Sequence, residues 1–390
     1  MSSRWRTAPL GDIAELQYGF TEKATHSGDA RFVRITDISD SGTLRSDGAK
    51  YIALTDGARG ALLRKNDILV ARTGATYGKT MLFSEDYPAV FASFLIRIRL
   101  PESLGYAPYI WQFAQSSEYW NQTRALVAGG AQPQFNANVL KRIEVPLPPL
   151  DEQRRIADVL GTWDSAIGTV QKLVEYKRAQ GEWAARELLE RRRAPAYRRT
   201  TLGDLARIRS GNTPSKSNAV YWDGNHPWVS ARDMKTLVIS DSAKRLTGAG
   251  YSEASVAPKN SLLMLTRGMT LFKDVPVCIA GADVAFNQDV KALIVEAETN
   301  AVYVAFLLRI HKNDLLGLVD SAGHGTGRLD TEALREFPLL LPPRVTQDEI
   351  VETLLTAHRE IEVLRSLGMA YENQKRALMS VLFTSEGVDS

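Results

Sequence analysis

Two glycine-rich segments contain the residue types that bind phosphate groups. The sequence GATYGKT at residues 74–80 follows a strand-like run at Asp67–Ala71, as a phosphate-binding loop should. It has one residue fewer between its glycines than that motif requires, and the next residues, MLF, predict a strand instead of a helix. The sequence GHGTGR at residues 323–328 is similar to a dinucleotide-binding fingerprint, but Arg328 stands where the third glycine is needed. We therefore expect a hairpin with basic residues at the first segment and a flexible loop at the second.

The acidic and metal-binding residue types do not form a complete catalytic pattern. Asp223 together with Asp233-x-Lys235 weakly resembles the acidic pair of a metal-dependent nuclease. The corresponding segment nearer the N-terminus, Asp37-x-Ser39, lacks the lysine. The five histidines have no metal-ligand spacing; they are His26, His226, His311, His324 and His358. The sequence therefore predicts no bound metal.

Two further classes are disfavoured by residue type. Cys278, the single cysteine, lies in an apolar run and is predicted to be a core residue, which excludes a disulfide framework and a cysteine-rich zinc module. Methyltransferases that modify amino groups of bases use an Asp/Asn-Pro-Pro-aromatic tetrapeptide. Both Pro-Pro pairs here follow leucine and precede Leu150 or Arg344, so a stand-alone methyltransferase is disfavoured.

The composition is that of a globular protein with room for about two to three domains. Hydrophobic residues make up 44% and charged residues 24% of the 390 residues. No apolar run reaches the roughly 18 residues of a membrane helix, and the N-terminus lacks the apolar stretch of a signal peptide. We expect no membrane association and a reducing, cytoplasmic setting. The net charge of +3 does not by itself indicate a nucleic-acid-binding protein.

The elements that must position these residues are present twice. LGDIA at Leu10–Ala14 recurs as LGDLA at Leu202–Ala206, a shift of 192 residues. PLPPLDEQRRI at Pro146–Ile156 matches LLPPRVTQDEI at Leu340–Ile350, a shift of 194 residues. Ordered matches at nearly constant shifts indicate two copies of one unit of about 195 residues.

Each copy begins with a mixed segment of strands and helices. Short β-type runs bounded by Gly, Asp and Ser turns predict strands, at Phe32–Ile35, Ile68–Ala71, Phe94–Ile98, Leu262–Leu265 and Lys291–Val295. Helices are predicted at Tyr106–Gln115 and Asn300–Ile310. The expected fold class is α+β, with two similar mixed α/β domains.

Each copy ends in a predicted long helix after its double proline, because proline blocks the helical conformation just before it and permits a new helix after it. Apolar residues then follow heptad spacing, at Ile156, Leu160, Trp163, Ile167, Val170 and Val174, and at Ile350, Leu354, Ile361, Leu364, Tyr371 and Leu378. We expect Gly368 and Lys375 to interrupt the second seam. A helix over residues 151–192 would be ~60 Å long. We therefore expect two long antiparallel helices, a coiled coil that separates the two domains in a pseudo-twofold arrangement.

The duplicated pattern resembles the specificity (S) subunit of type I restriction-modification systems. The residues that carry the resemblance are Leu10-Gly11-Asp12, Pro146–Ile156, Leu202-Gly203-Asp204, Ser210–Pro214, Pro342–Ile350 and Gln374–Leu378. The resemblance implies a non-catalytic, sequence-specific DNA-binding subunit with two target-recognition domains, each reading one half of a bipartite site in double-stranded DNA. It implies that the paired helices dock two methyltransferase (modification) subunits, and that restriction/translocase subunits join this hetero-oligomer. S-adenosylmethionine would then bind the modification subunit, ATP and Mg would bind the restriction subunit, and this chain would bind no cofactor.

The predicted boundaries follow the repeat. We expect target-recognition domains at residues 1–147 and 198–341, long helices at 148–197 and 342–384, and a flexible tail at 385–390.

Polar residues in loops at strand ends are the predicted DNA contacts, since Arg, Lys, Asn and Gln read base edges and phosphate contacts position the protein. In the first copy they are Arg34, Arg72, Thr73, Tyr77, Lys79, Gln132, Gln134 and Asn136. In the second copy they are Asn212, Thr213, Lys216, Arg232, Lys235, Arg267, Lys273, His324 and Arg328. Ordinary surface exposure is the alternative for each of them, and buried ion pairing is a further alternative for Arg72 and Arg267. We expect the glycine-rich segment at residues 323–328 to be a flexible DNA-facing loop, with a plain surface loop as the alternative. Because the loops differ between the copies, we expect an asymmetric target.

Other functions remain open at this stage. One is the specificity subunit of a related two-component restriction system whose partner is a fused nuclease-methyltransferase. Another is a coiled-coil scaffold with no role at DNA, and a stand-alone nuclease or methyltransferase is the least favoured.

Overall fold

The computed structural model of the chain describes residues 5–128, 135–190, 197–322 and 325–383. The chain forms two compact units, the first made of Met1–Lys172 and Arg365–Ser390, and the second of Leu173–Leu364. None of the helices within the described ranges combines the length and the apolarity that crossing a membrane requires.

The first unit contains short strands and helices followed by a long helix. Its strands are β1 (Arg6–Pro9), β2 (Glu15–Tyr18), β3 (Ala30–Val33), β4 (Tyr51–Ile52), β5 (Ile68–Ala71), β6 (Thr80–Leu82), β7 (Ala89–Phe91), β8 (Leu95–Arg99) and β9 (Glu144–Leu147). Its helices are α1 (Leu10–Ile13), α2 (Asp56–Arg59), α3 (Ala107–Phe113), α4 (Ser117–Ala128), α5 (Ala137–Lys141) and α6 (Leu150–Glu190), the last of which continues into the second unit.

Strand β5 lies at the centre of the first unit because its alternate side chains enter two different cores. Ile68 and Val70 pack in one cluster with residues of α3 and α5. Leu69 and Ala71 pack in another with residues of β3 and β7. Successive side chains of a strand point to opposite faces, so a strand buried on both faces must be continuously apolar. The sheet orders are β2-β8-β5-β6, β4-β3-β7 and β1-β9, and the strand predicted at residues 68–71 is confirmed.

The second unit repeats the main elements of the first in the same order and contains additional strands. Its strands are β10 (Arg198–Thr201), β11 (Ala206–Ser210), β12 (Trp222–Val229), β13 (Val238–Ile239), β14 (Arg245–Leu246), β15 (Val256–Ala257), β16 (Leu262–Leu265), β17 (Arg267–Gly268), β18 (Val277–Ala280), β19 (Val284–Phe286), β20 (Val290–Val295), β21 (Val319–Ala322), β22 (Thr326–Leu329) and β23 (Pro338–Leu341). Its helices are α7 (Leu202–Leu205), α8 (Gly248–Ser252), α9 (Ala301–Ile310), α10 (Lys312–Leu316), α11 (Thr331–Arg335) and α12 (Arg344–Phe383), the last of which continues into the first unit.

The sheets of the second unit are larger than those of the first. Their orders are β11-β20-β16-β18-β13, β14-β12-β19-β15, β17-β22-β21 and β10-β23. Strand β16 occupies the place of β5, and all four of its residues are buried in the main core of the unit. The strand predicted at residues 262–265 is thus confirmed, and so are the predicted α+β class and the duplicated mixed domains.

A buried glutamine fixes the start of each long helix in the same way. Gln153 donates through Nε2 to the Pro148 carbonyl (2.9 Å), and its Oε1 accepts from the Tyr106 backbone N–H (2.9 Å). Gln347 repeats both bonds, with the Pro342 carbonyl (2.9 Å) and the Asn300 backbone N–H (2.8 Å). Both glutamines are buried. The sequence repeat is therefore also a repeat of hydrogen bonding, which ties the helix start to the segment before α3 or α9.

The predicted seam residues all lie at least half-buried on the long helices. In the first unit, the Trp163 and Tyr371 rings pack edge to face with centroids 5.7 Å apart. In the second unit, Ile350 and Leu354 share a core with Ala185 of α6. Within each unit, earlier residues of one long helix pack near later residues of the other, so the two helices run antiparallel.

Gly368 and Lys375, which break the apolar spacing of the second seam, lie inside the interface of the long helices. Both residues are buried in the first unit. A Cβ on Gly368 would lie 3.4 Å from Val170, so the glycine permits close approach of the helices. Lys375 forms an ion pair with Asp164 of α6, with 2.6 Å between Nζ and Oδ1. Polar pairing therefore replaces apolar packing at this point of the interface.

Candidate functional site

The segment that resembled a phosphate-binding loop folds as a turn between two strands. Residues Gly74–Thr76 form a single 3-10 turn, after which β6 begins at Thr80, so the helix that would bind phosphate does not follow. Lys79 donates to the Asp40 carboxylate (2.7 Å) and to the Ile38 carbonyl (3.2 Å). The segment is the predicted hairpin, and its lysine is held by an exposed aspartate.

Asp233, one of the acidic residues that suggested a nuclease pair, has a structural role. Asp233 accepts hydrogen bonds from the Ser230 backbone N–H, the Ser230 hydroxyl and the Ala243 backbone N–H, each at 2.9 Å. Asp37 closes the equivalent turn in the first unit by accepting from the Arg34 backbone N–H (2.8 Å). Among the described residues, no group of three or more His, Cys, Asp or Glu side chains is arranged to hold a metal ion.

The half-buried Arg72 and the exposed Tyr18 form a stacked pair in the first unit. The Arg72 guanidinium carbon lies 5.0 Å from the centroid of the Tyr18 ring, and 43% of Tyr18 is exposed. The Tyr18 hydroxyl accepts from the Ala137 backbone N–H (3.0 Å), which anchors the ring to the start of α5. Stacking orients a guanidinium without using its hydrogen-bond donors. Within the described ranges Arg72 forms no ion pair, so the structure does not support the buried-pair alternative for this residue.

The other predicted contacts of the first unit are more constrained. Arg34 forms a bidentate ion pair with the buried Asp37, and the hydrogen bond to that carboxylate raises the pKa of Arg34. Tyr77 packs on Phe135 with ring centroids 5.9 Å apart. Asn136 caps α5 through its Oδ1. Thr73 is exposed, and Gln132 and Gln134 lie outside the described residues.

Arg267 and Arg328 face each other across two paired strands of the second unit. They are direct partners in the antiparallel ladder of β17 and β22, and both are exposed. The next pair along this ladder is Gly268 with Gly327, which adds no side chain beside the arginines. Arg328 also lies 3.8 Å from the exposed carboxylate of Asp330. Neither arginine is buried, so the buried-pair alternative for Arg267 has no support.

The remaining predicted contacts of the second unit differ in how firmly they are held. Asn212 donates through Nδ2 to the Glu253 carbonyl (2.8 Å) and accepts at Oδ1 from the Ser255 N–H (2.6 Å). Its side-chain amide therefore holds the segment at residues 253–255 in place. The Thr213 hydroxyl donates to Gln288 Oε1 (2.5 Å). Four basic side chains are exposed: Lys216, Arg232, Lys235 and Lys273. His324 lies outside the described residues.

Several residues at these surfaces were missed at the sequence level. Lys291 lies half-buried on β20 beside the arginine pair, and its Nζ donates to the Ser210 hydroxyl (2.6 Å). Exposed apolar side chains flank the arginines, with Phe94 near Arg72 and Met269 and Phe272 after Arg267. A basic residue in a predicted strand and hydrophobic residues in loops give no signal in a search for polar loop residues.

The part of α6 in the second unit has an exposed apolar face. Leu173, Tyr176 and Trp183 lie within one face of the helix, since positions three and ten residues apart are close in angle at 3.6 residues per turn. Tyr176 and Trp183 are each 64% exposed. Large exposed aromatic side chains on a helix are typical of a surface that binds another protein.

The chain is similar in sequence and structure to specificity proteins of type I restriction-modification systems. A family model described as the type I restriction modification DNA specificity domain matches residues 2–175 and 197–366. The specificity subunit of the Escherichia coli type I restriction enzyme EcoR124I/EcoR124II is 25% identical over 247 residues, 60% of this chain and 61% of that protein. The MjaVIII specificity subunit of Methanocaldococcus jannaschii is 24% identical over 127 residues, 33% of this chain and 28% of that protein. The chain thus spans less than two thirds of the length of either relative.

A solved structure has the same fold over nearly the whole chain. It is the S subunit of a type I restriction-modification system from M. genitalium, with a TM-score of 0.62 and 15% sequence identity. The likeness covers 99% of this chain and 97% of that one. At this identity the likeness concerns the fold, which agrees with two mixed α/β domains and two long helices.

Proposed function

The chain belongs to the family of type I restriction-modification DNA specificity proteins, and from that premise we propose that it selects the DNA sequence on which a restriction-modification complex acts. Each mixed domain reads one half of a two-part site in double-stranded DNA. The domains are target-recognition domains, and the chain itself carries out no chemistry.

The observation that carries this proposal is a repeated scaffold with different side chains at the same loop. The hydrogen bonds of Gln153 and Gln347 at the starts of the long helices are the same in both copies. The loop after the central strand differs, with Arg72 stacked on Tyr18 in one copy and an arginine pair in the other. A shared scaffold with different polar side chains at the loops is expected of two domains that contact different half-sites.

The partners of the proposal are a pair of methyltransferase subunits and, in the larger complex, restriction/translocase subunits. The exposed apolar face at Leu173, Tyr176 and Trp183 supports docking of a protein on the long helices. A base to be methylated must leave the duplex to reach a catalytic pocket, and we assign that pocket, with its S-adenosylmethionine, to the methyltransferase. ATP and Mg belong to the restriction subunit, and the complex acts where the DNA is, in the cytoplasm.

Co-expression with the cognate methyltransferase tests the proposal. We expect the purified complex to bind and methylate DNA carrying a two-part motif, whereas the chain alone transfers no methyl group from labelled S-adenosylmethionine. Methyl transfer by the chain alone would overturn the non-catalytic assignment. A complex that binds all DNA sequences equally would overturn the proposal that the chain selects sequence.

Arg72→Ala tests base reading in the first domain. If its guanidinium bonds a guanine edge, its removal costs about 1–3 kcal/mol of binding at matched sites and relaxes one base position. Binding of the complex to matched and singly mismatched duplexes measures both effects, with Arg59→Ala, an exposed arginine of α2, as control. Equal losses on every sequence would reject base reading by Arg72.

A further inference from the structure

The second domain concentrates three basic side chains in one place. Arg267 and Arg328 are opposite each other on β17 and β22 and point to the same face, because directly paired residues of a ladder share a face. Like charges in that arrangement are destabilising in the free protein. The two arginines are exposed at a predicted DNA-contact surface, and a bound negative charge would offset the repulsion between them.

Lys291, on the neighbouring strand β20, is the third basic residue of this group. The Arg267 backbone N–H donates to the Asp289 carbonyl (3.2 Å), which places the arginine strand against the chain two residues before Lys291. The Lys291 ammonium is half-buried, and its hydrogen-bond partner is the neutral hydroxyl of Ser210 (2.6 Å). Burial, followed by repulsion from Arg328, lowers the pKa of Lys291.

Nearby carboxylates among the described residues offset the charge of Arg328 but form no ion pair with the other two basic side chains. Asp289 accepts a hydrogen bond from the Asn287 side chain (2.9 Å). Asp330 lies 3.8 Å from Arg328, and Asp320, the ladder partner of Arg328 on β21, lies on the same face of the sheet as that arginine. In the part of the chain that the structure describes, neither Arg267 nor Lys291 forms an ion pair with a carboxylate.

Among the residues of the first domain that the structure describes, the equivalent place holds no such group. The ladder that pairs Ser210 with Lys291 in the second domain pairs Tyr18 with Ile96 in the first. Ile96 is fully buried. An apolar residue thus stands where the second domain has a half-buried ammonium, and the surface above it is the stacked Arg72–Tyr18 pair.

We propose that Arg267, Lys291 and Arg328 form a binding site for one phosphate group of the DNA backbone, present in the second domain and absent from the first. The site rests on the proposed function. Its ligand is a phosphodiester oxygen pair, which accepts hydrogen bonds from guanidinium and ammonium groups and carries the charge that the site lacks. The site positions the second half-site and does not read its sequence.

The salt dependence of DNA binding tests the site. Losing one protein–phosphate contact makes the slope of log affinity against log salt less steep by about 0.9. In the complex with the methyltransferase, we expect the triple variant Lys291→Met, Arg267→Gln, Arg328→Gln to make the slope less steep by about that amount, because the three side chains share one phosphate, and each single variant to change it by a part of that amount. We also expect each variant to weaken matched and mismatched duplexes by the same factor. The control is Lys259→Met, an exposed lysine before the opposite end of β16, which should leave the slope unchanged.

Two results would overturn the site. One is an unchanged slope in the triple variant, and the other is a loss confined to duplexes with one particular base. A wild-type complex without sequence preference would contradict the proposed function and not the site. In that case the salt dependence of the variants would still show whether the three side chains contact a phosphate. Lys291→Met also has a readout without DNA, since removing a half-buried ammonium should keep or raise the Tm of the chain. A raised Tm with a reduced slope supports the site, whereas a markedly lowered Tm would show that Lys291 stabilises the fold.

Discussion

The buried pair of Lys375 and Asp164 should set the register of the long helices in the first unit. The Lys375 side chain is 10% exposed, its Nζ lies 2.6 Å from Asp164 Oδ1, and Gln112 of α3 donates to the other carboxylate oxygen (2.6 Å). Removing one partner of a buried pair costs about 3–5 kcal/mol because it leaves an uncompensated charge. Asp164 is 33% exposed and keeps its bond to Gln112. Because water reaches Asp164, the uncompensated charge costs less than in a fully buried pair. We therefore expect Lys375→Met to lower the free energy of unfolding by about 1–3 kcal/mol.

Denaturant unfolding of Lys375→Met, Asp164→Leu and the double variant measures the pair through a double-mutant cycle. The double variant should recover much of the loss, since apolar residues of similar size often replace a buried pair at little cost. Lys172→Met, an exposed lysine of α6, is the matched control and should unfold like the wild type. A Lys375→Met variant as stable as the wild type would show that the ion pair does not set the register of the helices. The apolar seam alone would then set it.

Three further predictions follow from the packing. Gln153→Leu and Gln347→Leu each remove two hydrogen bonds and leave buried backbone groups unpaired, so each should cost about 2–4 kcal/mol in denaturant unfolding; a large loss in only one copy would contradict their equivalence. Gly211→Ala would place a Cβ 2.1 Å from the Asn287 carbonyl oxygen and should lower the Tm, whereas Gly161→Ala, in open space on α6, should raise it slightly. Burial raises the pKa of Cys278 to about 12, so iodoacetamide at pH 8 should alkylate it only as the chain unfolds; rapid labelling of the folded chain would disprove its burial.

The elements that could be predicted from the sequence are those whose signal is local. The runs at residues 68–71 and 262–265 are continuously apolar because their strands are buried on both faces, and both strands were predicted with the bounds that the structure has. The double prolines marked the starts of the long helices for a similar reason, since proline acts on its immediate neighbours. The repeat then connected these local signals into two copies of one domain.

The parts of the candidate site that could not be predicted depend on pairing across the chain. Arg267 and Arg328 meet only because β17 pairs with β22, and neither position shows this in its own neighbourhood. Lys291 belongs to a strand-like run, so a search for polar loops passes over it. Lys375 was interpreted as a break in the apolar pattern because its partner, Asp164, lies on the other long helix. Spacing along one helix cannot show what the opposite helix supplies.

In the proposed function, the two domains read two separate halves of one DNA site. Methylome sequencing of a host that carries this chain and its methyltransferase tests it most directly. We predict methylated bases within a motif of two different specified parts separated by a gap of fixed length in which any base is accepted. Methylation at a single uninterrupted motif, or no methylation above that of the host lacking the chain, would contradict the account.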